Sequence, residues 1–84
     1  MLPAVDVVAD EHDNLRFLLA NRIRHAPTAA LDLAIGASDF WALRGHVVEG
    51  QSWIEEAMTA STPTGLLRAR ALLALARTTR TMAE

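Results

Sequence analysis

The stretch Phe40–Met58, FWALRGHVVEGQSWIEEAM, limits what this chain can fold into more than any other part of it. Two helical patterns meet there at Arg44-Gly45. Upstream, Ala34, Ala37, Ser38 and Trp41 fall at i, i+3, i+4 and i+7, one face of a helix. Downstream, Val47, Gly50, Ile54 and Ala57 repeat the pattern, with Trp53 at its edge. Small residues alternate with large ones on both stripes. Two antiparallel helices can then approach closely and have the gap filled by indole and branched side chains. The segment reads as a tight helical hairpin packed through Trp41, Gly45, Gly50, Trp53 and Ala57. If Trp53 fills the seam, Trp53→Ala should cost several kcal/mol through the cavity it leaves, about 3–5 by analogy with other buried aromatics.

Turn residues divide the rest. The first helix is expected over about 5–24, with Val5, Val8, His12, Leu15, Leu19 and Ile23 on one stripe. Asp6, Asp10 and Asp13 lie opposite, where negative charge suits a helix start. Phe17 shares their side, which suggests a second contact surface. His25-Ala26-Pro27 stops this helix and opens the next, expected over about 28–43. There a further stripe, Leu33, Gly36, Phe40 and Leu43, implies cover on two sides. Gly36 costs about 1 kcal/mol against alanine in a helix interior, so a close neighbouring backbone is expected beside it. Gly45 is the break, with φ > 0 at the helix end. A third helix is expected over about 46–60. Thr62 then reads as an N-cap and Pro63 as the first position of a fourth, to about 82. On that fourth helix Leu67, Ala71, Ala74, Leu75, Thr78 and Met82 make one stripe. The expectation is an all-α chain, four antiparallel helices in one domain over 1–84.

Composition excludes more than it suggests. The chain has 84 residues and no cysteine, so disulfides and thiolate metal sites are ruled out. Its apolar runs are too short to span a membrane, and no secretory signal pattern follows Met1. A cytoplasmic location is expected. The net charge of −2 hides an asymmetry, because the start is acidic and the last helix is basic. Two solvated faces account for that; so would head-to-tail complementarity between copies.

No reaction centre is visible. His12, His25 and His46 fit no zinc spacing. His46 and Glu49, at i and i+3, read as capping or packing rather than a metal pair, and His12 as a hydrogen-bonded histidine on the core stripe. Glu55 and Glu56 are adjacent and point about 100° apart on a helix, so they form no acid/base dyad. Ser38 and Ser52 have no histidine–acid partner implied. No catalytic residue, cofactor or metal is assigned. The helix–turn–helix reading of the hairpin fails because its second helix carries Glu49, Glu55 and Glu56 and no arginine. Arg70, Arg77 and Arg80 share a face of the last helix, a weak nucleic-acid candidate. Direct binding is not the expectation, although a small dimeric DNA-associated regulator using that helix is one alternative. Another is a small-molecule sensor with a pocket near Trp41 and Trp53.

A helix pair of about 34 residues with a glycine turn and a small residue in each helix is the pattern of tetratricopeptide-like repeats. Here the closing proline, Pro63, comes one residue late. The wording is more specific. Glu11-His12-Asp13-Asn14-Leu15-Arg16, Phe40-Trp41, Arg44-Gly45-His46, Glu49-Gly50, Trp53-Ile54-Glu55 and Ala57-Met58 stand in an order that resembles one family. It is the helical repeat region of large bacterial signalling ATPases: LuxR-type and antibiotic-regulator-type transcription factors, and relatives fused to cyclase-like domains. Arg68 to Ala76 is similar to the opening helix of that family's next repeat. The resemblance covers about Asp10 to Ala76. It implies a helical arm that holds an ATPase shut or receives an inducer or partner. In that family nucleotide is bound by an upstream domain and DNA by a separate one. This chain has no lysine and so no Walker A loop. The expected role is therefore a non-enzymatic sensor or scaffold segment. Its last helix begins a repeat without its mate, and such faces need cover. The expected partner is a second copy, as a homodimer through Leu67, Leu75 and Met82, or the remainder of a multidomain regulator.

Overall fold

The computed structural model describes the backbone of residues 4–83 and the side chains of 11–78. Five helices follow one another: α1 (Ala4–His25), α2 (Pro27–Gly36), α3 (Ser38–Leu43), α4 (Val47–Ser61) and α5 (Gly65–Ala83). Among the described residues there is no strand, and no helix is long and apolar enough to cross a membrane.

Helix boundaries follow local chemistry. Pro27 opens α2 one residue after α1 ends, where its missing N–H is no loss. The expected single helix over 28–43 is interrupted at Ala37. Its ladder continues through the break, since the Ala37 N–H donates to the Leu33 carbonyl at 2.9 Å and the Trp41 N–H to the Ala37 carbonyl at 3.2 Å. The Ser38 hydroxyl donates back to the Ile35 carbonyl at 2.8 Å. Such back-bonding beside a glycine, here Gly36, is a recognised cause of helix kinks. Gly36 itself is exposed, and a Cβ built there meets nothing within 4 Å. The close neighbour expected at Gly36 is absent, and the glycine belongs to the kink. Cover on the second stripe is partial too: Leu33 and Phe40 are half-buried, whereas Leu43 is exposed.

Gly45 turns the chain at φ 77 as expected. The second turn differs from expectation. Thr62 is not an N-cap but the left-handed residue that ends α4, at φ 45, with its N–H on the Met58 carbonyl. Pro63 lies outside the helix, and α5 begins at Gly65.

The α4 helix packs chiefly on α2, and α3 continues that seam. On one side α1 rests against α2 and α4; on the other, α5 rests against α4, α2 and α3. The two terminal helices do not touch each other. The molecule measures 45 × 35 × 16 Å. Helix axes pack about 8–10 Å apart, so 16 Å holds two layers and no more. The radius of gyration, 13.1 Å, exceeds the roughly 12 Å of a compact chain of this length. The chain is an open two-layer stack, and it is not a bundle closed by its first and last helices.

The core runs through the seam: Leu19 of α1, Leu31 and Ala34 of α2, Trp41 of α3, Ile54 and Ala57 of α4, then Ala71 and Ala74 of α5. Trp41 is the largest fully enclosed side chain. Gly50 is what lets it fit, because a Cβ there would lie 2.9 Å from the indole Cε3 and 3.2 Å from the Trp41 Cβ. Gly50→Ala gains about 1 kcal/mol of helix propensity and incurs overpacking against an indole with no room to retreat, about 1–3 kcal/mol. The expected net result is a lower urea midpoint; a raised midpoint would mean that Trp41 yields easily.

Candidate interaction site

One polar cluster joins α1 to the central seam. Arg16 of α1 holds Glu49 of α4 in a two-pronged pair, with Nε at 2.6 Å from Oε2 and a terminal nitrogen at 2.7 Å from Oε1. The partners lie 33 residues apart in sequence. The Trp53 indole N–H donates to the same Glu49 Oε2 at 3.1 Å. His12, buried on the α1 stripe, takes the Trp41 indole N–H on its Nε2 at 3.2 Å, so that nitrogen is unprotonated. The same Nε2 lies 3.5 Å from Glu49 Oε1. The rings of Phe40 and His46 stand against His12 at 5.6 and 4.7 Å between centroids. The Arg16 guanidinium, opposed by burial and helped by Trp53, holds the Glu49 carboxyl well below its ordinary range, at about 2. Arg16 is correspondingly shifted upward by its bonds to Glu49.

This cluster can lock helices together, but it holds no free reacting group. Both carboxylate oxygens of Glu49 accept bonds from Arg16 or Trp53. Among the described residues no buried polar side-chain atom lacks a partner, and no group of three or more potential ligands could hold a metal ion. His46 precedes α4 without a side-chain capping bond. Of the two expectations for His46 and Glu49, packing is therefore the one the structure matches, and capping is not. His12 is the hydrogen-bonded core histidine expected.

The hairpin residues meet along the seam, but unequally. Trp41 and Ala57 are fully enclosed, Gly50 touches the Trp41 ring, and Gly45 makes the turn. Trp53 is only half-buried. The cavity-sized cost expected for Trp53 therefore belongs to Trp41 instead. No pocket opens between the two indoles to suit a small-molecule sensor, since Trp41 is sealed. An open depression of about 590 Å³ lies elsewhere, lined by Ala26, Pro27, Thr28, Ala29, Asp32 and Leu67.

The expected interface residues on the last helix face inward. Leu67 and Leu75 are half-buried against the core, and the Met82 side chain lies outside the described residues. The outward face of α5 carries other leucines: Leu66, 77% exposed, Leu72, 47%, and Leu73, 59%. Leucines at 66 and 73 are visible in sequence, but periodicity alone does not say which of two apolar faces meets the core. At the opposite end α1 exposes Phe17, at 72%. Of the basic residues, Arg70 pairs with Asp32 at 3.2 Å, and Arg77 borders a small depression with Asp39. The Arg80 side chain lies outside the described residues.

The Arg16–Glu49–Trp53 and His12–Trp41 links went unread in sequence because they join distant residues. Leu15 and Arg16, at i+3 and i+4 from His12, were their only local signal. Protein-family models, curated proteins and solved structures offer no match to this chain.

Proposed function

We propose that this chain is a non-enzymatic helical contact module, arranged in the manner of tetratricopeptide-like repeats. It serves a cytoplasmic bacterial transcriptional regulator or signalling ATPase. The observation that carries this reading is the outward face of α5, where Leu66, Leu72 and Leu73 stand exposed along a helix that no other element covers. Scattered surface leucines need no explanation, but a contiguous stripe on a terminal helix marks a contact surface. The arrangement of polar groups supports the same reading. Those of the interior are spent on holding α1, α3 and α4 together, and what the molecule offers outward is shape and charge. Helical stacks work through such end faces, because each layer buries its apolar side only against the next. The resemblance of residues 10–76 to the arm of multidomain regulators points the same way. DNA binding through α5 has less to draw on, since Arg70 is already engaged by Asp32.

The test is Leu66→Gln combined with Leu73→Gln, placed in the gene of the source cell. Both sites are exposed, so the purified variant should keep its helical circular dichroism and its melting temperature within a few degrees. A defined set of transcripts should change at equal protein level. Identical transcript profiles would sink the regulatory reading.

A further inference from the structure

We infer that the open face of α5 receives the α1 face of a second copy, so that chains join end to end. The inference rests on the contact-module reading and names the partner.

The α5 face has a definite composition. Leu66, Ala69, Leu73 and Ala76 succeed one another at helical spacing, and all four are exposed. Alanines between leucines leave room for another helix to come close. Arg70 and Arg77 run along one edge of this stripe, four and eleven residues after Leu66. Across Gly65–Ala83 the helix carries four arginines, Arg68, Arg70, Arg77 and Arg80, and no acidic residue. Two α5 faces brought together would therefore set only like charges against each other. Such a pairing is penalised in a desolvated contact. The partner that fits is an acidic helix with an exposed apolar residue.

The other end of the same molecule supplies one. Helix α1 contains Asp6, Asp10, Glu11 and Asp13 in its first half. Glu11 and Asp13 are exposed, and Phe17, four residues beyond Asp13, is 72% exposed. Laid antiparallel on α5, the helix would bring Phe17 to Leu73 and Asp13 to Arg77. Both partner positions shift by four residues, so one register serves both. The lengths agree too: α1 has 22 residues and α5 has 19. Within the chain α1 and α5 do not meet, so neither face is used up by the other. A joint between unlike faces does not close on itself, and repetition yields open chains of copies. One helix pair is a small interface, so the association is of the weak, concentration-dependent kind.

Light scattering across a concentration series, up to about 1 mM, reads this directly. The weight-average mass should rise above the 9.1 kDa of one chain and continue past twice that value. Raising ionic strength from about 0.1 to about 1 M shortens the screening length from about 10 to about 3 Å and should lower the mass. Two end variants decide the geometry. Phe17→Arg spoils only the α1 end, and Leu66→Gln with Leu73→Gln spoils only the α5 end. Each alone should associate at least about tenfold more weakly, as when an apolar anchor is lost. Mixed in equal amounts they should form a one-to-one pair, because one intact α1 face and one intact α5 face remain.

A wild-type chain monomeric throughout overturns the inference. So does a Phe17→Arg variant that still dimerises, which would mean α5 pairs with α5. A mixture that stays monomeric has the same consequence. Should Leu66→Gln/Leu73→Gln lose its helical spectrum, Ala69→Gln on the same face replaces it. A monomer whose α5 variant still alters transcripts would leave the contact-module reading standing with a different partner.

Discussion

Trp41→Ala is expected to remove most of the stability of this chain. The indole is fully enclosed, with Gly50 flush against its ring and its N–H bonded to His12 at 3.2 Å. Truncation leaves a void at the crossing of α3 and α4 and strands the His12 acceptor below it. Buried aromatics cut to alanine lose about 3–5 kcal/mol, and an orphaned buried acceptor adds about 1 kcal/mol or more. Domains near this length hold only about 4–12 kcal/mol in total. The variant should therefore unfold at low urea or not fold at all. Trp53→Ala provides the contrast: its ring is half-buried, and its one bond is to a carboxylate that keeps Arg16. Its loss should be about 1–2 kcal/mol. Equal losses at the two tryptophans in urea titrations would mean that the seam is not centred on Trp41.

Glu49 should make stability depend on acid in a defined window. Its carboxyl titrates at about 2 when folded, against an ordinary value of 4.5. A carboxylate whose pKa is depressed on folding contributes fully above its unfolded value and loses that contribution as pH falls through its folded value. The Glu49 contribution is thus complete above about pH 5 and fades between about 4.5 and 2. At neutral pH, Glu49→Gln should cost about 1–3 kcal/mol, the range for charge-assisted bonds in a half-buried site. That difference should shrink as the solution is acidified, since protonated Glu49 and glutamine are near-equivalents. Denaturation curves for both proteins at pH 7, 4, 3 and 2 test it. A difference that stays constant to pH 2 would show that Glu49 matters through shape and not through its charge. Cooperation between the two predictions is expected as well, because His12 and Trp53 link Trp41 to Glu49 within one cluster, and residues of one network are rarely additive.

What the sequence by itself determined is the helical class, the glycine turn at Gly45 and which residues line the seam. Helix periodicity and turn chemistry are local, so Ala34, Ser38, Trp41, Gly50, Ile54 and Ala57 could be placed on facing stripes without knowing the fold. His12 belonged to the same class of local reading. Three matters were decided only by the tertiary structure. Arg16 and Glu49 met because α1 lies across α4, a relation between residues 33 apart that no spacing rule encodes. The inward face of α5 proved to be the one with Leu67, Ala71 and Ala74, not that with Leu66 and Leu73. Both faces are apolar at helical period, and only packing against α2 and α4 separates them. The failure of α1 and α5 to meet, which leaves both ends open, is likewise a consequence of how four layers of side chains stack. Periodicity says which side of a helix avoids water; which neighbour covers it depends on the summed packing of the whole chain.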